Sequence, residues 1–254
     1  MAIEIEPDPV IPFLRGSKKP DYYDGLLIKA DQGLHAQLTS IVEQRNKNRD
    51  IRILDIAAGE GALSLRLYEH GYTKIEAVDR MKKEFRYGDR IPFYELDLND
   101  KPSLDDFVED RKRRYDLILG IETIEHLENP WQYLRALRVM LDNRGTIILS
   151  TPNISSLYAK LHFVLRDRFF QFDEPDLSYY HINPISAFEL ETICRAIGLK
   201  IIERVPGGLY PLIWRNPDLR FSILYSISNI LLYPFSRGMK FGWCSISILE
   251  KTGR

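Results

Sequence analysis

The chain reads as an α/β fold on a mostly parallel sheet, and three observations predict it. Residues 52–61 (RILDIAAGEG) form a short apolar run that ends in an acidic residue, small residues and two glycines. ALSLRLYEHGY follows, with Leu63, Leu65, Leu67 and Tyr68 in helical phase, and then a second apolar run, IEAVDR, at residues 75–80. Strand-like and helix-like patterns keep alternating, and the closing segment CSISILEKTG (residues 244–253) alternates apolar with polar as a half-buried strand does.

Strand, tight glycine turn, helix and strand make the opening of a nucleotide-binding βαβ unit. Small residues are needed at the turn because the backbone must pass close under a ligand and bend sharply into the helix. Asp79, at the end of the second strand, sits where a carboxylate can hydrogen-bond a ribose diol. An adenosine-type cofactor follows. The glycine spacing runs Gly59, Gly61 and then Ser64, which is not the dinucleotide pattern, and no phosphate-cradling lysine follows it. Asp55, just before the glycines, would be awkward beside a pyrophosphate and suits a ligand with a cationic amino-acid end.

These residues resemble the class I S-adenosylmethionine-dependent methyltransferases, whose first motif is D-x-G-x-G-x-G. Here it reads Asp55-Ile56-Ala57-Ala58-Gly59-Glu60-Gly61, with Ala57 in place of the first glycine; alanine keeps the close approach where its φ is negative. Residues 92–100 match the third strand, ending at Asp97, where the family's acidic residue meets the adenine amino group. Residues 115–131 resemble the fourth strand and the helix after it. Residues 145–153 match the fifth, preceded by a helix over 131–141 with Leu134, Leu137 and Leu141 on one face. The resemblance covers residues 45–205. It implies a Rossmann-like, seven-stranded, mostly parallel sheet with helices on both faces and an antiparallel last strand. It also implies S-adenosyl-L-methionine as cofactor, held by Asp55, Ala57, Ala58, Gly59, Gly61, Asp79, Arg80, Asp97, Leu98 and Gly120.

Four segments are expected: an N-terminal arm and cap helix (1–48), the cofactor-binding core (49–205), an apolar insertion (206–243) and a final core strand (244–254). Residues 22–45 carry Leu26, Leu27, Leu34, Leu38, Ile41 and Val42 at helical spacing; residues 181–198 read as a loop into a helix, with LKIIERV as the sixth strand. The insertion is far longer than an ordinary hairpin connection. It reads as a packed helix or subunit interface, a lid over an apolar or lipid-linked acceptor, or a surface resting on a membrane. Ser222, Ser226, Ser228, Asn229 and Pro234 interrupt it too often for a transmembrane anchor.

A chain of 254 residues, 44% hydrophobic, can bury a core of ordinary size, and a formal net charge of -1 argues against a strong electrostatic grip on nucleic acid. The basic run Arg111-Lys112-Arg113-Arg114 reads as a solvated helix end. Cys194 and Cys244 give neither a disulfide framework nor zinc spacing and read as buried thiols of a reducing compartment. The opening MAIEIEPDPVIPFLRG has acids and prolines where a signal peptide would be basic and then apolar. A cytoplasmic place is expected, with a peripheral position at the inner face of a membrane as the alternative.

The chemistry centres on Glu122-Thr123-Ile124-Glu125-His126, directly after the fourth strand. If helical, Glu122, Glu125 and His126 share one face of one turn. His181 enters from Tyr179-Tyr180-His181-Ile182-Asn183-Pro184. Three readings stand: His126 or His181 as general base or positioning group; Glu122, Glu125, His126 and His181 around a Mg, Mn or Fe ion that polarises an acceptor hydroxyl; or a structural pin of the turn. E-x-x-E-H with a later histidine is similar to small-RNA 2'-O-methyltransferases and some ubiquinone-pathway O-methyltransferases. Phe169, Phe170 and Phe172, with Gln171 and Asp173, form an aromatic loop on the acceptor side. O-methylation of a small molecule, glycan or lipid-linked intermediate is the leading expectation. A metal-assisted methyltransferase of RNA termini and a non-catalytic cofactor-binding module are the alternatives, and a homodimer through 206–243 is a further partner reading.

Overall fold

The computed structural model describes residues 21–177, 179–208, 223, 226–227, 230–235 and 238–253. Its first elements correct the helical reading of residues 22–45. Residues 21–28 form a hairpin, β1 (Asp21–Tyr23) and β2 (Leu26–Ile28), turned by Asp24 and Gly25 at φ 46° and 75°. Two successive left-handed residues are what a tight hairpin turn demands, and Asp-Gly supplies them. The helix itself, α1 (Leu34–Arg45), starts after Gly33 and buries Leu34, Leu38 and Val42.

Along the chain follow β3 (Ile53–Ile56), α2 (Ala62–Glu69), β4 (Ile75–Asp79), β5 (Phe93–Glu95), α3 (Lys101–Glu109) and β6 (Tyr115–Gly120). A single 3₁₀ turn (Ile124–His126) leads into α4 (Pro130–Met140), β7 (Leu141–Pro152), α5 (Leu157–Arg166), α6 (Glu174–Leu177), α7 (Ala187–Ile197), β8 (Leu199–Gly207) and β9 (Cys244–Lys251). Among the described residues the main sheet has seven strands in the order β5-β4-β3-β6-β7-β9-β8. β3 pairs in parallel with both β4 and β6, while β9 runs antiparallel to β7 and β8, as expected of the last strand.

The central strands are continuous apolar runs because both faces are covered. Leu34, Leu38, Leu63 and Leu67 of α1 and α2 pack on one face with Ile53 and Leu117. Leu104, Leu134, Leu137, Leu190 and Ile193 of α3, α4 and α7 pack on the other with Leu54 and Ile118. α7 is bounded as its sequence dictates, by the Ser186 hydroxyl accepting from Glu189 N and by Gly198 at φ 76°. The strand order reverses between β3 and β6, so their carboxyl ends open a crevice where ligands of such sheets bind.

Two boundaries differ from expectation. β5 stops at Glu95, so Asp97 lies beyond it in a turn, its carboxylate accepting from Asn99 N at 2.9 Å. β8 continues through Gly207, taking two residues from the expected insertion, most of which lies outside the described residues. Among the described residues no helix is long and apolar enough to cross a membrane.

Candidate functional site

The glycine turn after β3 packs under the N-terminal hairpin. Ala58 N donates to Val78 O of β4 (3.0 Å), and Leu27 N donates to Glu60 Oε2 (2.9 Å). Gly59 and Gly61 both have positive φ, 56° and 91°. A Cβ on Gly61 would overlap the Phe85 ring at 2.7 Å, whereas one on Gly59 would meet nothing nearer than Lys29 Cδ at 3.9 Å. Gly61 is thus required by packing, and Gly59 leaves the approach open to a ligand. Asp79 holds the turn from the tip of β4, its Oδ2 accepting from Gly59 N (2.9 Å) and its Oδ1 from Met81 N (3.1 Å). Each oxygen keeps a lone pair for a diol.

Ala57 differs from its expectation: its φ is 62°, the left-handed region where Cβ is penalised. Ala57→Gly removes a strain of about 1–2 kcal/mol against a glycine entropy cost of about 0.5–1 kcal/mol. A urea melt should show a net gain of about 0.5–1 kcal/mol.

Asp55 is wholly buried, its carboxylate accepting from Ser64 Oγ of α2 at 2.5 Å. Burial pushes its pKa up to about 7, the Asp79 charge adds to this, and the Ser64 bond opposes it. The folded state therefore holds a proton that the unfolded chain releases from pH 3.8 upward. Stability from this group is greatest below its unfolded pKa and is lost as pH rises through about 7. Between about pH 5 and about pH 8 the protein should lose on the order of 2–3 kcal/mol that Asp55→Asn does not, read from urea midpoints at the two pH values.

Of the other expected cofactor residues, Gly120 closes β6 with no room for a side chain, since a Cβ there would overlap the Tyr133 hydroxyl and meet Leu149 Cδ2 at 2.8 Å. Leu98 packs half-buried on the core. The Arg80 guanidinium lies 5.4 Å from the Tyr180 ring centroid, reaching from β4 to the loop that carries His181.

At the carboxyl ends of β6 and β7 the four acceptor-side candidates divide. Glu122 does not share a helical face with Glu125 and His126, which corrects the expected spacing argument. It stands before the 3₁₀ turn at φ 47°, with its N–H donating to Ser150 Oγ (2.9 Å) and its Oε1 accepting from that hydroxyl (2.7 Å). This strand-end anchor overrides the i, i+3 pattern. Its carboxylate joins Asp31 and Cys244, whose thiol donates to Asp31 Oδ2 at 2.7 Å.

Glu125, His126 and His181 do come together, one ligand atom of each lying within 4.8 Å of the others. The loop is stitched to the 3₁₀ turn by Ile182 N and Asn183 N, both donating to Glu125 O at 3.0 and 2.9 Å. The two imidazoles meet edge to face at 4.8 Å between centroids. His181 Nδ1 lies 2.7 Å from Gln171 O, an acceptor that fixes the proton on Nδ1 and puts the ring's lone pair on Nε2. Burial, with the charge of His181, pushes His126 down to about 4, so it stays neutral.

Glu125 is fully buried, and neither carboxylate oxygen has a hydrogen-bond partner. Burial first and the Glu122 charge second drive its pKa well above the usual carboxylate range. The Thr151 hydroxyl lies beside the Glu125 carboxylate, and the buried Tyr133 hydroxyl beside Thr123. A buried carboxylate whose oxygens make no well-formed hydrogen bond is a place that a bound group would stabilise.

The aromatic loop divides as well. Phe172 stands 5.6 Å from His181, but Phe170 is buried with Tyr158, His162 and Trp243. Asp31 and Tyr133 carry no motif; only the fold reveals them.

A family profile for the methyltransferase domain matches residues 30–204. The chain is 24% identical over 219 residues to the polyketide synthase PksR of Bacillus subtilis (strain 168), covering 79% of this chain and 7% of that one. It is 27% identical over 177 residues to the ubiquinone biosynthesis O-methyltransferase of Xanthomonas axonopodis pv. citri (strain 306), covering 69% of this chain and 72% of that enzyme. The fold matches that of Burkholderia thailandensis 1,6-didemethyltoxoflavin-N1-methyltransferase, solved with 1,6-didemethyltoxoflavin and S-adenosylhomocysteine. There the TM-score is 0.54 at 15% identity, over 88% of this chain and 80% of that one. The profile takes in the whole glycine turn and every strand from β3 to β7, and on that ground the chain belongs to the methyltransferase-domain family.

Proposed function

We propose that the chain methylates an oxygen of a small hydroxylated acceptor, with a divalent cation held by Glu125, His126 and His181. The observation that carries this reading is the Glu125 carboxylate, fully buried, without a well-formed hydrogen bond and within reach of two imidazoles. A buried carboxylate without a partner is costly, and a cation at this spot removes the cost. One carboxylate and two imidazoles with open positions suit Mn or Fe(II). Such an ion, when bound, lowers the pKa of a coordinated hydroxyl.

The chain's own residues orient and enclose. Asp79 and the 57–61 turn fix the cofactor at the carboxyl ends of β3 and β4. The Gln171 carbonyl aims His181, and the loop bonds to Glu125 O hold the acceptor wall in place. Methyl transfer from a sulfonium needs mainly in-line placement and the exclusion of water. The likeness to ubiquinone biosynthesis O-methyltransferases supports an oxygen acceptor. The long apolar segment 206–243 favours a glycan or lipid-linked acceptor over a freely soluble one.

The test is transfer of labelled methyl groups from S-adenosylmethionine to pools of hydroxylated aromatics, glycans and lipid extracts. Product carrying the label on oxygen, abolished by chelator and restored by Mn, is expected. Label on nitrogen or carbon would overturn the acceptor class. Oxygen methylation indifferent to chelator would leave His126 or His181 as a metal-free general base.

A further inference from the structure

We infer that the face formed by α5 and the described residues among 223–241 docks on an anionic lipid bilayer. This docking does not rest on the proposed reaction. α5 buries Leu157, Tyr158, Ala159 and His162, yet turns Phe163, Val164 and Leu165 outward, with Val164 78% exposed. Helical backbone recurs at residues 223, 226–227 and 230–232. There Ile223, Ile227, Ile230 and Leu231 stand at i, i+4, i+7 and i+8, one face of a helix, and all four are exposed, Ile230 at 74%. Ser226 is half-buried instead. That is the reverse of a helix packed on a core, which hides its apolar stripe. Tyr233 and Phe241 are exposed as well, and Phe235 is exposed at 85%.

The two parts adjoin. Leu157 N donates to Lys240 O (3.0 Å), and Lys240 Nζ donates to Tyr233 O (2.9 Å) while lying 3.8 Å over the Tyr233 ring. The Tyr233 and Phe241 rings are 6.0 Å apart. Charge selects the occupant. No Asp or Glu occurs in residues 143–166 or 219–249, while Lys160, Arg166, Arg220, Arg237 and Lys240 do. Lys160 and Lys240 lie close enough to repel each other. The whole chain carries a formal net charge of only -1, so this basic character is local. An apolar face rimmed by cations and aromatics, on segments with no spanning helix among the described residues, fits the plane of a negatively charged membrane surface.

The experiment is flotation of the full chain with vesicles of phosphatidylcholine alone or with phosphatidylglycerol, at low and high salt. Strong binding to the anionic vesicles and weak binding to the neutral ones is expected. Lys160→Glu with Lys240→Glu should weaken anionic partition by about five-fold or more per site. Ile230→Glu with Leu231→Glu should weaken it more than about ten-fold. Both double variants should retain S-adenosylhomocysteine affinity, which shows that they fold. Absence of vesicle binding by the folded wild type would overturn the inference. So would a stable dimer in solution that Ile230→Glu with Leu231→Glu dissociates, since a second copy would then cover this face. Failure here leaves the methylation reading intact, because that reading is scored on product and this one on lipid.

Discussion

Replacing His126 with alanine should lower turnover by about 10²- to 10⁴-fold, whether it acts as ligand or base. Affinity for S-adenosylhomocysteine should stay within about two-fold of wild type. The split follows from geometry. His126 faces His181 and sits in the 3₁₀ turn after β6, whereas the cofactor turn lies after β3 and is held by Asp79. His126 is half-buried, so truncation should cost no more than about 1–2 kcal/mol of stability. A melt far below that, with cofactor binding lost, would assign His126 to holding the fold. The same substitution at His181 should reproduce the loss of turnover, because both imidazoles bring a ligand atom to the same cluster with Glu125.

Asp79→Ala should weaken S-adenosylhomocysteine binding by about 10- to 10⁴-fold, as one or two charge-assisted bonds at about 1.5–3 kcal/mol each are removed. Part of that loss comes from the turn itself, since Asp79 also accepts from Gly59 N and Met81 N. Asp79→Asn separates the two contributions. Its amide oxygen can keep the Gly59 bond without the charge, so a loss of only about ten-fold is expected from calorimetry. Unchanged affinity in Asp79→Ala would mean that the ribose is held elsewhere.

The core of this fold was readable where burial on both faces leaves a plain mark. Ile53–Ile56 and Tyr115–Gly120 are apolar runs because helices cover both sides of the sheet. The closing strand alternates apolar with polar and yet has no solvent face: it lies between β7 and β8, with Ser247 buried beside Ile246 and Ile248. Residues 21–28 form a hairpin too short for a period of two to outweigh leucines at helical spacing. The Asp24-Gly25 turn is the signal that marks it. At the site, residue types were legible and geometry was not. The E-x-x-E-H spacing places two carboxylates together only on a regular helix. The left-handed Glu122 and its bonds to Ser150 break that helix before it starts. Glu125 keeps its imidazole partners because the loop carrying His181 bonds to its carbonyl, a contact 57 residues along the chain that no local pattern encodes.

The most direct test of the central claim is a titration of the purified protein with Mn(II), followed by electron paramagnetic resonance. Stoichiometric binding of one ion is expected, lost in Glu125→Ala and in His181→Ala but retained in Asp79→Ala, which lies on the cofactor side. No binding in the wild type, or binding that survives both site substitutions, would contradict a cation at Glu125, His126 and His181.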